Sequence, residues 1–129
     1  PVNTQWELFY DNSNKLIWRG GAVGSEPYCT PPTAGQWHFI VALQSGTSAR
    51  ILVDGGLCSS RNSVPAFGNG TGILYIGSFD GGNYQFTGNI DNVRIYDRAL
   101  DTAEIKSLYL AEAPRHGVAF AGSADGFPF

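Results

Sequence analysis

Hydrolysis of a glycosidic bond needs two carboxyl groups flanking it, about 5–5.5 Å apart for retention of configuration and wider for inversion. The four glutamates of this chain, Glu7, Glu26, Glu104 and Glu112, are scattered along it, and Glu104 has a sufficient use as a helix cap. A Ser-His-Asp site is no better supplied. His38 adjoins Trp37 in a strand-like run, where it reads as a solvent-face residue, His116 lies near the C-terminus, and no Gly-x-Ser-x-Gly elbow occurs. Catalysis is therefore not expected. Recognition is better provided for. Sugars are held by aromatic faces, with Asn, Asp and Arg bonding their hydroxyls. Tyr28, Phe67, Tyr84 and Trp18 are the candidate rings, and Asn69, Asp80 and Asn83 stand in neighbouring loops. Asn69-Gly70-Thr71 also matches an N-glycosylation acceptor, relevant only in a eukaryotic secretory setting.

The rest of the composition narrows the class. A chain of 129 residues makes one domain with room for a sandwich core and no second one. Glycine, at 17 residues, is nearly twice its usual share of about 7 %, as expected where tight turns join many short strands. A formal net charge of −3 argues against nucleic acid, which calls for a basic face. No apolar run approaches the length of a membrane span. The sequence holds no Met and begins at Pro1, which fits signal cleavage, proprotein processing or a partial chain. Cys29 and Cys58 are either two buried thiols or one disulfide. A processed start favours the disulfide, and a pair alone is too few for zinc, which wants four ligands.

Taken in order, the elements that must position these residues are mostly short strands. Gln5 to Tyr10 and Lys15 to Arg19 form a hairpin around Asp11-Asn12-Ser13-Asn14, residues whose side chains bond their own backbone. A Pro-rich loop from Gly24 to Pro32 carries Tyr28 and Cys29. Trp37, Phe39, Val41 and Leu43 then alternate on one face, the cleanest period of two in the chain, and Trp37 and Phe39, with Tyr75 and Tyr96, read as core or sheet-face residues. Ala49 to Val53 returns after Ser45-Gly46-Thr47-Ser48, and Asp54-Gly55 signals a tight turn into a further strand at about Gly56 to Ser60. Gly72 to Ser78 reads as another strand. From Gly88 to Tyr96 Val93 and Ile95 share one face, which predicts an inner strand with a bulge near Asp91 and Asn92. Asp101 and Glu104 then make a capping box, with Leu100 and Ile105 as its staple. The helix runs from about Thr102 to Ala111 with Ile105, Leu108 and Tyr109 inward.

Gly88 to Tyr96, followed by Ala99-Leu100, Glu104-Ile105 and Leu108-Tyr109, resembles the last core strand and helical turn of laminin-G-like domains, members of the concanavalin-A-like lectin and glucanase jelly rolls. Trp37-His38, Asp54-Gly55 and Ile76-Gly77 match the same family pattern. The resemblance implies an all-β, two-sheet antiparallel jelly-roll sandwich with one short helix near the C-terminus. It places the domain at residues 1–112, apparently without its usual first strands, and leaves 113–129 as an extension, with one extra strand from Gly117 to Ala121 and a docking tail at Phe127 and Phe129. Jelly-roll glucanases carry a Glu-x-Asp-x-x-Glu strand, which this chain lacks. The resemblance therefore implies a non-catalytic extracellular recognition or adhesion module, secreted or on a cell or virion surface, whose partner is a glycan or a surface protein. In related domains an aspartate at the position of Asp91 often serves a structural calcium ion, so Asp91 and Asn92 are the candidate ligands. The alternative expectation is a structural subunit of a virion decoration or surface filament. There, sheet edges and tail would pack on neighbouring chains, as a homo-oligomer or against another subunit.

Overall fold

The structure, a computed structural model, describes residues 6–20, 24–66, 71–79 and 84–118. Two antiparallel three-stranded sheets are stacked on each other, with one helix behind the second. In the first, β1 (Trp6–Tyr10) pairs with β2 (Leu16–Gly20), and β2 with the two-residue β3 (Tyr28–Cys29). Asp11 makes the first hairpin. Its Oδ1 accepts from the backbone N–H groups of Ser13 and Lys15 at 3.0 and 2.9 Å, and Asn14 takes the left-handed conformation the turn requires.

The second sheet is β4 (Ile40–Ser45), β5 (Ser48–Val53) and β6 (Gly56–Arg61), with β5 in the middle. Asp54 and Gly55, both at positive φ, form the two-residue loop between β5 and β6. The sheet is buried on both faces. On one, Ala49 and Ile51 of β5 and Ile40 and Ala42 of β4 meet Leu16 and Trp18 of the first sheet. On the other, Leu52 of β5 and Phe39, Val41 and Leu43 meet Ile105, Tyr109 and Ala113. The Phe39-Val41-Leu43 stripe thus packs on the helix and not between the sheets, while Trp37, just before β4, stays 37 % exposed.

The helix α1 (Thr102–Glu112) starts on the expected capping box: Asp101 Oδ1 accepts from Glu104 N–H at 2.9 Å, and Glu104 Oε2 accepts from Asp101 N–H at 2.9 Å. Arg98 closes on the same carboxylate, so Glu104 titrates near 2; the Arg98 bonds are the main cause and the Asp101 N–H the next. A 3-10 turn over Ala113–His116 follows, with Pro114 at its start and Gly117 in the left-handed region at its end.

Between Thr71 and Leu100 the structure departs from the sequence reading. No ladder forms over Gly72 to Ser78 or Gly88 to Tyr96, and Val93 and Ile95 are 50 % and 54 % exposed. Tyr75 and Tyr96, expected as core or sheet-face residues, lie in no ladder and are 41 % and 45 % exposed. Two causes are visible. Tyr84, Gly88 and Asn92 all stand at positive φ, so the run is broken every four residues. Phe86, two residues before the second stretch, donates its N–H to Gly77 O at 2.8 Å, and a strand needs a row of such partners. The bulge falls elsewhere as well. Ile51 pairs with Ser59 and Leu52 with Leu57, leaving Cys58 as the extra residue of β6.

Cys58 forms a disulfide with Cys29 of β3, joining the rims of the two sheets across 29 residues of sequence. Closing a loop of that length restricts the unfolded chain by about 3–4 kcal/mol. Replacing both cysteines by serine is expected to lower the unfolding free energy by about that amount. Urea denaturation of the oxidised wild type and the double variant checks this; a loss below about 1 kcal/mol would show that the bridge constrains little.

Candidate functional site

Tyr28 occupies the outer side of β3. It stands opposite Ile17 in the ladder, and Lys15 lies two residues before Ile17, so strand alternation brings all three to one face. The Lys15 ammonium sits 4.3 Å from the centre of the Tyr28 ring. Arg61, at the end of β6, reaches over from the second sheet and holds its guanidinium 5.9 Å from the same centre. The adjacent Cys29–Cys58 bridge fixes β3 to β6, and with them Tyr28 to Arg61. The ring is 43 % exposed. Among the described residues neither cation forms an ion pair, whereas Arg19, Arg94 and Arg98 each hold a glutamate. Sequence reading selected Tyr28 but missed its two partners, which are 13 and 33 residues away from it.

A cleft of about 380 Å3 lies at the other end of the second sheet between Gly35 to His38, Asp54, and His116 to Val118. Trp37 packs on the His116 ring with centroids 4.2 Å apart, and His116 Nε2 lies 3.1 Å from Asp91 Oδ2. His38, expected on a solvent face, is instead clamped at both nitrogens: Nδ1 lies 2.7 Å from Asp54 Oδ2 and Nε2 lies 2.8 Å from the Thr33 carbonyl oxygen. A carbonyl oxygen only accepts, so Nε2 must donate; the carboxylate on the other side makes Nδ1 a donor too. The arrangement selects the imidazolium. Burial lowers the His38 pKa, but the bond to Asp54, the bond to Thr33 and the carboxylate charge together outweigh it and raise it. Asp54 Oδ1 also accepts from Phe39 N–H at 2.8 Å. The polar atoms of His38 and Asp54 thus satisfy one another, leaving little for a ligand's hydroxyls.

The other candidate residues fare differently. Phe67, Asn69, Asp80 and Asn83 lie outside the described residues. Tyr84 is exposed with its edge against Phe79, and shares no element with Tyr28. Trp18 is buried between the sheets. Asp91 Oδ1 accepts from Asn92 N–H at 2.8 Å and Oδ2 faces His116. Calcium calls for six to eight oxygens. Among the described residues no group of three His, Cys, Asp or Glu is placed to hold a metal, so a calcium ion at Asp91 and Asn92 would have to draw most of its oxygens from backbone carbonyls. The expected docking tail, Phe127 and Phe129, lies outside the described residues, as does most of the expected extra strand from Gly117 to Ala121. Its Val118 packs on the helix cluster.

All four glutamates are in ion pairs with arginine: Glu7 and Glu26 with Arg19, Glu104 with Arg98, Glu112 with Arg94. Burial would raise Glu26, but its own N–H, that of Gly24 and the Arg19 guanidinium hold it below the usual carboxylate value. A general acid needs the opposite shift.

Residues 2–106 match the family model described as the concanavalin A-like lectin/glucanases superfamily, and the chain belongs to that family. Among solved structures, an S-layer domain-containing protein from Clostridium thermocellum, residues 221–444, superposes with a TM-score of 0.54 at 23 % identity. The match covers 81 % of this chain and 62 % of that one, so the present sequence spans less than two thirds of that structure. No curated protein matches. No helix of the described residues is long and apolar enough to cross a membrane.

Because the folded His38 pKa lies above its unfolded value, the clamp's stabilisation is fully present below about pH 6.5 and fades as pH rises through the folded pKa. An NMR titration of the His38 ring is expected to show a midpoint above the ordinary value near 6.5. His38→Gln is expected to cost more stability at pH 5.5 than at pH 8.5; a midpoint below the ordinary value, or an equal cost at both, would contradict the clamp.

Proposed function

We propose that this member of the concanavalin A-like superfamily is a non-catalytic module of the cell surface or extracellular space, and that it recognises a glycan at Tyr28. The observation that carries the reading is the half-exposed ring with two uncommitted cations, set on strands locked together by the Cys29–Cys58 bridge. Rigid aromatic platforms with a few polar groups beside them suit sugar rings. The disulfide is at home in an oxidising compartment, and the S-layer domain-containing fold neighbour favours a surface setting. The arginine-paired glutamates favour binding over hydrolysis.

A second reading, a structural subunit of a surface assembly, is favoured by the exposed side chains of Ile73, Ile76, Val93 and Ile95. So many exposed branched aliphatic side chains in one segment are unusual on a lone domain. Light scattering distinguishes the two: a monomer at micromolar concentration favours the recognition module, and a stable oligomer favours assembly.

Glycan-array binding followed by titration tests the recognition reading. Tyr28→Ala is expected to weaken the best ligand about tenfold, the loss of one aromatic contact, while near-UV circular dichroism stays unchanged. Binding unaffected by that change, or no glycan bound at all, would overturn it.

A further inference from the structure

Resting on the reading of Tyr28 as a glycan site, we infer that its ligand is an anionic saccharide, whose uronate carboxylate or sulfate ester lies between Lys15 and Arg61. Two positive groups share one ring, at 4.3 and 5.9 Å from its centre. They come from different sheets, so folding itself brings these like charges together. Like charges brought to one ring repel, and among the described residues neither is in an ion pair. In a chain of net charge −3, two cations on one ring make a local positive spot. The acid nearest in sequence, Asp11, is turned to other work: its Oδ1 accepts from the N–H groups of Ser13 and Lys15 in the β1–β2 turn. Of the other guanidinium groups, Arg19, Arg94 and Arg98 hold glutamates, while Arg50 and Arg115, like Arg61, are in no ion pair among the described residues; Arg61 differs from those two in sharing an aromatic ring with a second cation.

The ring gives the pair its geometry. A cation over an aromatic face is attracted by the ring's quadrupole and loses part of its freedom before any ligand arrives. The ammonium and the guanidinium are then poised for complementary tasks. The guanidinium presents planar paired donors to a carboxylate or sulfate, and the ammonium acts as a compact point charge on a second oxygen. A neutral sugar would use the ring but leave both charges uncompensated. An anionic unit uses all three groups.

The test compares oligogalacturonate, a sulfated cello-oligosaccharide and neutral cellohexaose by isothermal titration calorimetry on the oxidised protein. Either charged probe is expected to bind, and which one does separates a carboxylate from a sulfate ligand. Lys15→Gln and Arg61→Gln are each expected to weaken that probe about tenfold, in keeping with the loss of a charge-assisted hydrogen bond. Raising the salt from 50 to 500 mM is expected to weaken the wild type and to matter less in the double variant. Neither residue is buried in the core, and circular dichroism of the variants confirms folding. Binding to cellohexaose alone, unchanged in both variants, would overturn the anionic assignment while leaving the glycan reading intact. Binding to none of the three, with none on the array, would overturn both.

Discussion

The structure depends on the burial of β5 from both sides. Ala49 and Ile51 point toward the first sheet and Leu52 toward the helix, and all three are withdrawn from water. Alternation along one strand therefore supplies two cores at once. Each of those side chains contributes roughly 1.5–3 kcal/mol by leaving water, alanine less, but their larger effect is topological. β4 alternates in the same way, with Ile40 and Ala42 toward the first sheet and Val41 and Leu43 toward the helix, but only partly buried; β5 supplies the fully buried side chains on which both layers close. Loop 62–66 is drawn in by the same strand pair: Val64 donates its N–H to Thr47 O at 2.9 Å and buries its side chain in the inter-sheet core.

From that centre the two ends of the second sheet are finished in different ways. At one end Asp54 accepts a left-handed φ and is held there by His38 and by Phe39 N–H, so the β5–β6 turn is fastened to the start of β4. The strain of a non-glycine residue at positive φ is offset by those charge-assisted bonds. Midway along β6 the Cys29–Cys58 bridge ties that strand to the first sheet, and Arg61 stands at the strand's far end. One end has its polar atoms closed on themselves, while the other leaves Lys15, Tyr28 and Arg61 facing outward. That contrast supports a structural task for the first and the proposed recognition task for the second.

What was legible in the sequence was local. Asp54-Gly55 announced its turn, Asp101 and Glu104 their capping box, and Ile105 and Tyr109 the buried side of the helix, because each depends on residues within a turn or two. The alternation of Phe39, Val41 and Leu43 gave the right face but not the layer it meets, since a period of two says nothing about what lies opposite. The same limit explains Gly88 to Tyr96: Val93 and Ile95 alternate as an inner strand should, yet a ladder needs a partner row, and positive φ at Gly88 and Asn92 interrupts the run. The His38–Asp54 clamp and the Lys15–Tyr28–Arg61 cluster join residues far apart in the chain, and no local pattern marks either pairing. Tyr28 could be picked out as an aromatic in a loop; its charge environment exists only after folding.

Native-state hydrogen exchange across the second sheet tests the central role of β5 most directly. Amides that exchange only through global opening report the full unfolding free energy, while edge elements exchange through local opening. The amides of Ile51 and Leu52 are predicted to be the slowest in the molecule, with exchange free energies equal to that from urea denaturation. If they exchange as readily as those of the edge strand β1, the two cores do not share a common strand and the account fails.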